Sequence, residues 1–340
     1  MSYWLGYAFI LILGIILLSA LLYVIRAPWS NPQSKTRKHL QNLILVLFSL
    51  FLTVMALEFC MKVFFAQTDD FGHTLAFKNW YERYWGQTNS LGYRDREWAW
   101  DDVAGKHKIM VLGDSFAAGY GIERQADRMS NQLGRMLGNE YAVMTVALSG
   151  WGTRSEMGAG ARHPIKPDTL ILVYYVNDIE ELVQELGREE PEFAFVKPPE
   201  GWHGALVENS YLYNFVYWRL YRMGMGVPKH TYWDWVFDLY QDPEVWAMHR
   251  QDLLTIAEYA KEENIQLIVV IMPHLIFTEQ SAAILDQISD VFLAEGVPIL
   301  DVTELIQGEP PSSILASRVD PHASELVHRQ IAERLYEMIK

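Results

Sequence analysis

Lys108-Ile-Met-Val-Leu-Gly-Asp-Ser-Phe116 is the stretch from which the fold is read. The apolar run Ile109 to Leu112 predicts a buried strand, and Gly113-Asp114-Ser115 follows at its end. In an open α/β sheet, ligands bind outside the carboxyl ends of the strands. A serine at that place is a candidate nucleophile when a base can reach it. The tripeptide alone says little, and its meaning depends on what the rest of the chain brings to the same edge.

Working outward, apolar strands alternate with helical segments. Gln125 to Leu137 reads as a helix with Met129, Leu133, Met136 and Leu137 on one face. Tyr141 to Leu148 reads as a second strand ending in Ser149-Gly-Trp-Gly-Thr153, and a helix follows from Arg154 to Arg162. Thr169 to Val176 is a third strand ending in Asn177-Asp178, Ile265 to Met272 a fourth and Val297 to Val302 a fifth. Ser324 to Ile339 closes the chain as an amphipathic helix. This alternation predicts an α/β domain with a parallel, doubly wound sheet over 106–340. An aromatic-rich insertion at about 187–246 interrupts it, holding Tyr211, Tyr213, Phe215, Tyr217 and Trp218, then Tyr232, Trp233, Trp235 and Phe237. Two readings of the insertion stay open: a lid over the site, or helices packed on the sheet with aromatic cores.

The first 65 residues differ in kind. Tyr3 to Ile25 carries no charged side chain and is long enough for a bilayer core of roughly 30 Å. A second uncharged run, Leu40 to Leu57, continues toward Phe65. The loop Arg26 to Lys38 between them holds four basic residues and no acidic one, so it belongs on the cytoplasmic side. The expectation is a transmembrane hairpin over 1–65, a neck over 66–105, and a domain outside the cytoplasm. A cleaved signal peptide is the competing reading, but no basic side chain precedes Trp4 and the apolar run is too long. Glu58 and Lys62 are expected to pair at i,i+4 near the outer interface. The only cysteine, Cys60, lies beside the second span, so neither disulfides nor a cysteine-rich zinc site are available. Net charge is −14 with no basic stripe, which argues against nucleic acid as a partner. No cofactor or metal is called for by any motif.

The remaining signal is a constellation suited to acyl transfer. Ser115 is the candidate nucleophile, and Asp320-Pro-His322 supplies an imidazole with a carboxylate two residues earlier. In an extended segment those two side chains share a side, so Asp320 can orient His322 as a base. An oxyanion hole needs donors fixed where charge develops. The backbone N–H groups of Gly150 and Ser115 and the Asn177 side-chain amide are the candidates. Each has a plainer reading: Gly150 as a turn glycine, Asn177 as a helix cap near Ile179, and Asp320 or Ser324 as the cap of the last helix.

These segments resemble the four blocks of the SGNH hydrolases, the GDSL esterase/lipase superfamily. Gly113-Asp-Ser115 looks like the first block, Ser149 to Thr153 the second, Val176-Asn-Asp178 the third and Asp320-Pro-His322 the last. Asn89-Ser-Leu-Gly-Tyr-Arg-Asp95 looks like the leader preceding the serine block in many bacterial members. The resemblance spans roughly Asn89 to Lys340 and implies a flavodoxin-like three-layer α/β/α sandwich. It also implies Ser115, His322 and Asp320 as the triad, with Gly150 and Asn177 in the oxyanion hole. The chain departs from the pattern at Tyr175, where a glycine is usual, and in the single residue between Asp320 and His322. Ala117 breaks the Gly-x-Ser-x-Gly elbow of the α/β-hydrolases. The expected function is a membrane-anchored esterase acting on acyl esters, acetyl among them, of a glycan or lipid. An acyltransferase with the same residues and a non-catalytic assembly subunit are the alternatives.

Overall fold

A computed structural model describes residues 2–26, 35–69, 72–188, 199–225 and 232–340. Most of the basic loop (27–34), Asp70, and two stretches of the insertion (189–198 and 226–231) lie outside the described residues. The chain forms two compact units. One comprises Met1–Ala66, His73–Asn79 and Lys197–Gly226, and the other Gln67–Gly72, Trp80–Val196 and Val227–Lys340.

The larger unit is built on five parallel strands: β1 (His107–Gly113), β2 (Tyr141–Ala147), β3 (Thr169–Tyr175), β4 (Gln266–Met272) and β5 (Ile299–Asp301). Their order is β2-β1-β3-β4-β5, the flavodoxin-like doubly wound order. All seven residues of β3 are buried, as a parallel sheet covered on both faces requires. The connection from β1 to β2 steps one way across the sheet, and that from β2 to β3 steps back past β1. Right-handed crossovers therefore put their helices on opposite faces. Met129–Leu137 packs with the closing helix Glu325–Ile339, while Thr153–Arg162, Pro243–Glu262 and Thr278–Ala294 form a second contiguous layer.

The five strands fall where the apolar runs put them, with ends differing by at most two residues. The helix read from Gln125 starts later. A 3₁₀ turn at Gln125–Asp127 and an extended Arg128 precede the helix, which begins at Met129. Gly113 and Ala147 are in register, and Val173 pairs Gly113 from the other side. The loops bearing Ser115, Gly150 and Asn177 thus leave the sheet along one edge, which puts the β1, β2 and β3 ends side by side.

In the smaller unit, helices Ser2–Arg26 and Lys35–Phe64 pack against one another. Among the described residues one helix, Lys35–Phe64, is long and apolar enough to cross a membrane; none of its described side chains is buried. Glu58 does not serve as the i,i+4 partner of Lys62. Its carboxylate accepts the N–H groups of Tyr211 (2.6 Å) and Leu212 (2.9 Å) and the Ser210 hydroxyl (3.0 Å). It thereby caps the helix Tyr211–Leu220, whose positive end favours an anion. That helix pairs with Gly201–Asn209, and its aromatics pack within the same unit: Trp218 stacks on His73 and Phe215 meets Phe65 edge-on. Of the insertion helices, only Tyr232–Leu239 belongs to the sheet-bearing unit, because the earlier two find their apolar partners among the first 80 residues.

Candidate active site

The β1 strand ends at Gly113, where a side chain has no room. A Cβ would stand 2.7 Å from that of Ala117 and 2.9 Å from the Val173 carbonyl. Asp114 then caps the short helix Ser115–Ala118, its Oδ1 accepting the Phe116 N–H at 2.8 Å. Ser115 sits at the first position of that helix and is 5% exposed.

His322 arrives from the far end of the chain. A small antiparallel hairpin, β6 (Leu315–Ser317) with β7 (Asp320–Ala323), carries it to the same edge. The extended geometry of β7 puts Asp320 and His322 on one side, with Asp320 Oδ1 2.6 Å from His322 Nδ1. The same oxygen accepts the His322 backbone N–H at 3.0 Å. With its Nδ1 proton directed at the carboxylate, His322 accepts through Nε2, and Ser115 Oγ lies 2.8 Å from it. The imidazole contacts the rings of Phe116 and Tyr120. Burial raises the Asp320 carboxyl, but the charge and hydrogen bond of His322 outweigh it and hold it below the usual carboxylate range. Ser324, not Asp320, caps the closing helix.

Gly150 and Asn177 line the same cavity as Ser115 and His322. Gly150 has φ +79°, a left-handed conformation that favours glycine, although open space surrounds the place of its missing side chain. Glu181 braces the following turn: its carboxylate accepts the N–H groups of Gly152 (3.2 Å), Arg154 (2.8 Å) and Ser155 (3.1 Å). Asn177 does not cap a helix. The next helix is Glu181–Glu185, preceded by Glu180, and the Asn177 side chain lines the cavity instead. Tyr175 packs its ring 4.1 Å from that of Phe116 and also lines the cavity. The cavity measures about 520 Å³, and Trp151, Tyr232, Trp233, Glu180 and Gln184 complete much of its wall.

Beneath this surface lie three buried carboxyls, Asp114, Glu156 and Asp178. Burial pushes Asp114 up to about 6, against the Phe116 hydrogen bond and the His322 charge. Glu156 and Asp178 are pushed well above the carboxylate range, first by burial, then by the charges of Asp114 and Glu181 on Glu156 and of Glu156 and Asp114 on Asp178. Neither Glu156 oxygen receives a hydrogen bond among the described residues. No group of three or more His, Cys, Asp and Glu side chains is arranged to hold a metal among the described residues.

In the sequence, Asn89 to Asp95 reads only as a leader, with no role for its Arg94 and Asp95, both of which shape this edge. Arg94, fully buried, donates to the carbonyls of Trp85 (2.7 Å), Gly119 (2.7 Å), Tyr84 (2.8 Å) and Ile122 (2.8 Å), fixing the loop that follows the serine helix. Its neighbour Asp95 accepts the Thr145 N–H from edge strand β2 at 2.8 Å and faces the buried Arg128 guanidinium at 3.4 Å. An Arg-Asp pair just ahead of the serine block was the available signal. Three further buried histidines stay neutral: burial lowers His249, His274 and His328 to about 3.

No family model matches the chain, and no curated protein matches it. Solved structures similar to it include a lipase/acylhydrolase from Enterococcus faecalis, at 16% identity and a TM-score of 0.43, covering 68% of this chain and 95% of that one. A GDSL-like lipase from Bacteroides thetaiotaomicron has 12% identity and a TM-score of 0.39, covering 69% and 89%. A member of the lipolytic G-D-S-L family from Veillonella parvula has 11% identity and a TM-score of 0.38, covering 68% and 96%.

Proposed function

We propose that this chain is a serine ester hydrolase of the SGNH type. The observation that carries the reading is the chain of contacts Ser115 Oγ to His322 Nε2 at 2.8 Å and His322 Nδ1 to Asp320 Oδ1 at 2.6 Å. Residues 207 positions apart in the sequence meet in the order that transfers a proton away from a hydroxyl.

In the proposed reaction, His322 Nε2 takes the Ser115 proton as Oγ bonds to the ester carbonyl carbon. The carbonyl π electrons move onto oxygen, and the N–H groups of Ser115 and Gly150 with the Asn177 amide stabilise that charge. Asp320 stabilises the imidazolium and keeps its tautomer. The C–O bond to the alcohol then breaks, His322 protonates the departing oxygen, and an acyl-Ser115 ester remains. Water, deprotonated by His322, attacks this ester in the same manner. The acid leaves, and the proton returns to Ser115.

The apolar helix Lys35–Phe64 and the basic loop before it support residues 1–65 as a membrane anchor, with 66–105 as a neck and 106–340 as a catalytic domain outside the cytoplasm. An anchored site suits acyl esters, acetyl among them, of a glycan or lipid near the membrane surface. The mixed lining of the cavity, with tryptophan and tyrosine beside carboxylate and amide groups, suits an acylated sugar. Turnover of p-nitrophenyl acetate and longer esters tests the reading. The full chain is expected to hydrolyse the short ester and Ser115→Ala to lose at least about 10³-fold in kcat. Equal turnover by both chains would remove Ser115 from the reaction.

A further inference from the structure

The Asn177 side chain has a physical problem that the triad does not solve. Its amide has two ends of nearly equal size, and only hydrogen bonds decide which faces a ligand. If the carbonyl end turns to the substrate, it repels the charge that an oxyanion hole must stabilise. The Asn177 Oδ1 is buried and receives no hydrogen bond among the described residues, so nothing on that side fixes the orientation.

The other side is held by the aromatic insertion. The Tyr232 hydroxyl donates to Glu180 Oε1, and Tyr232 lines the same cavity wall as Asn177 and Glu180. Glu180 belongs to the same turn, its N–H bonded to the Asn177 carbonyl at 3.0 Å. The helix Tyr232–Leu239 is pinned at its far end too. The Tyr240 hydroxyl donates to the Val176 carbonyl at 2.7 Å, one residue before Asn177. Trp233, beside Tyr232, meets Tyr175 and His274 edge-on and fixes the near end. Both ends of this helix therefore grip the turn that follows β3.

We propose that Tyr232, anchored by Glu180, is a positioning residue that takes one N–H of the Asn177 amide and so aims the other at the developing oxyanion. The argument rests on the hydrolase reading above. A hydroxyl suits the task because it donates to the carboxylate with its single proton and accepts from the amide with a lone pair. Burial and the Glu180 charge raise the Tyr232 phenol far above its ordinary range, so it remains neutral at any working pH. The insertion thus contributes to catalysis as a brace on the asparagine turn, without itself touching the reacting atoms.

The test is the rate at which a fluorophosphonate labels Ser115 in the full chain, because the phosphoryl oxygen develops charge in the same hole whatever the natural substrate. Four chains are compared: unmodified, Tyr232→Phe, Asn177→Ala and the double variant. We expect Asn177→Ala to slow labelling roughly 10²-fold and Tyr232→Phe roughly tenfold. The double variant is expected to be no slower than Asn177→Ala alone, and p-nitrophenyl acetate kinetics of Tyr232→Phe should show lower kcat at unchanged KM. Glu180→Gln provides the same comparison should Tyr232→Phe not fold, with a smaller loss that again vanishes in the Asn177→Ala background. A tyrosine loss that persists undiminished beside Asn177→Ala, or no loss at all, overturns the proposal alone. Absence of Ser115 labelling in the unmodified chain overturns the hydrolase reading and the proposal with it.

Discussion

At the scale of single residues, the most telling side chain is one the proposed reaction does not use. Glu156 is a carboxyl with no exposure and no hydrogen-bond donor among the described residues, close to Asp114 and Glu181. Burial followed by those neighbouring charges raises it well above its ordinary value of 4.5. A carboxyl raised in the folded state favours folding fully below its unfolded value. That contribution is lost as pH climbs toward and through the folded value. Asp114, raised to about 6, and Asp178 act in the same direction. The folded protein is therefore expected to lose stability between pH 5 and pH 8, two values chosen to bracket roughly the upper part of that range. Glu156→Gln mimics the protonated acid, so it should raise the melting temperature by a few degrees at the higher pH and change it little at the lower. Thermal unfolding at both values checks this. An equal or larger gain at the lower pH would mean that charge is not what Glu156 costs. None of this was legible in the sequence, where Glu156 is one acidic residue in a polar helix.

At the scale of elements, sequence and structure agree where the signal was dense. Ile109 to Leu112, Leu170 to Tyr175 and Leu267 to Met272 are uninterrupted apolar runs, and each lies buried in a strand. Ser115, Gly150 and Asn177 follow strand ends, so their shared edge could be read from order alone. The β6–β7 hairpin could not. Its strands have three and four residues, too few for an alternation to be recognised, yet it presents His322. The helix Pro243–Glu262 was passed over despite Asp242-Pro243, whose carboxylate accepts the N–H groups of Glu244 and Val245. Arg94 belongs at this scale because it ties carbonyls from two segments, 84–85 and 119–122, into one loop cluster. Arg94→Met should cost about 3 kcal/mol or more, since several buried carbonyls lose their donor together. Urea unfolding measures it, and a cost under about 1 kcal/mol would show that the cluster holds itself.

At the scale of the whole chain, the charge distribution makes a topological prediction. Four basic residues lie between the two N-terminal apolar runs, and basic residues resist translocation while acidic ones matter little. Both chain ends are expected outside the cytoplasm. A reporter enzyme active only there should be active after Lys340 and silent near Ser34, and the reverse pattern would remove the proposed location and substrate class together. The proposed chemistry would survive that result, because it depends on the larger unit alone. The central claim is that Ser115 is a nucleophile activated by His322. The most direct measurement is peptide mass spectrometry of the full chain after reaction with a fluorophosphonate, beside Ser115→Ala. The account predicts one adduct, on the peptide bearing Ser115, and none in the variant. An unchanged adduct in Ser115→Ala, or an adduct on another residue, would contradict it.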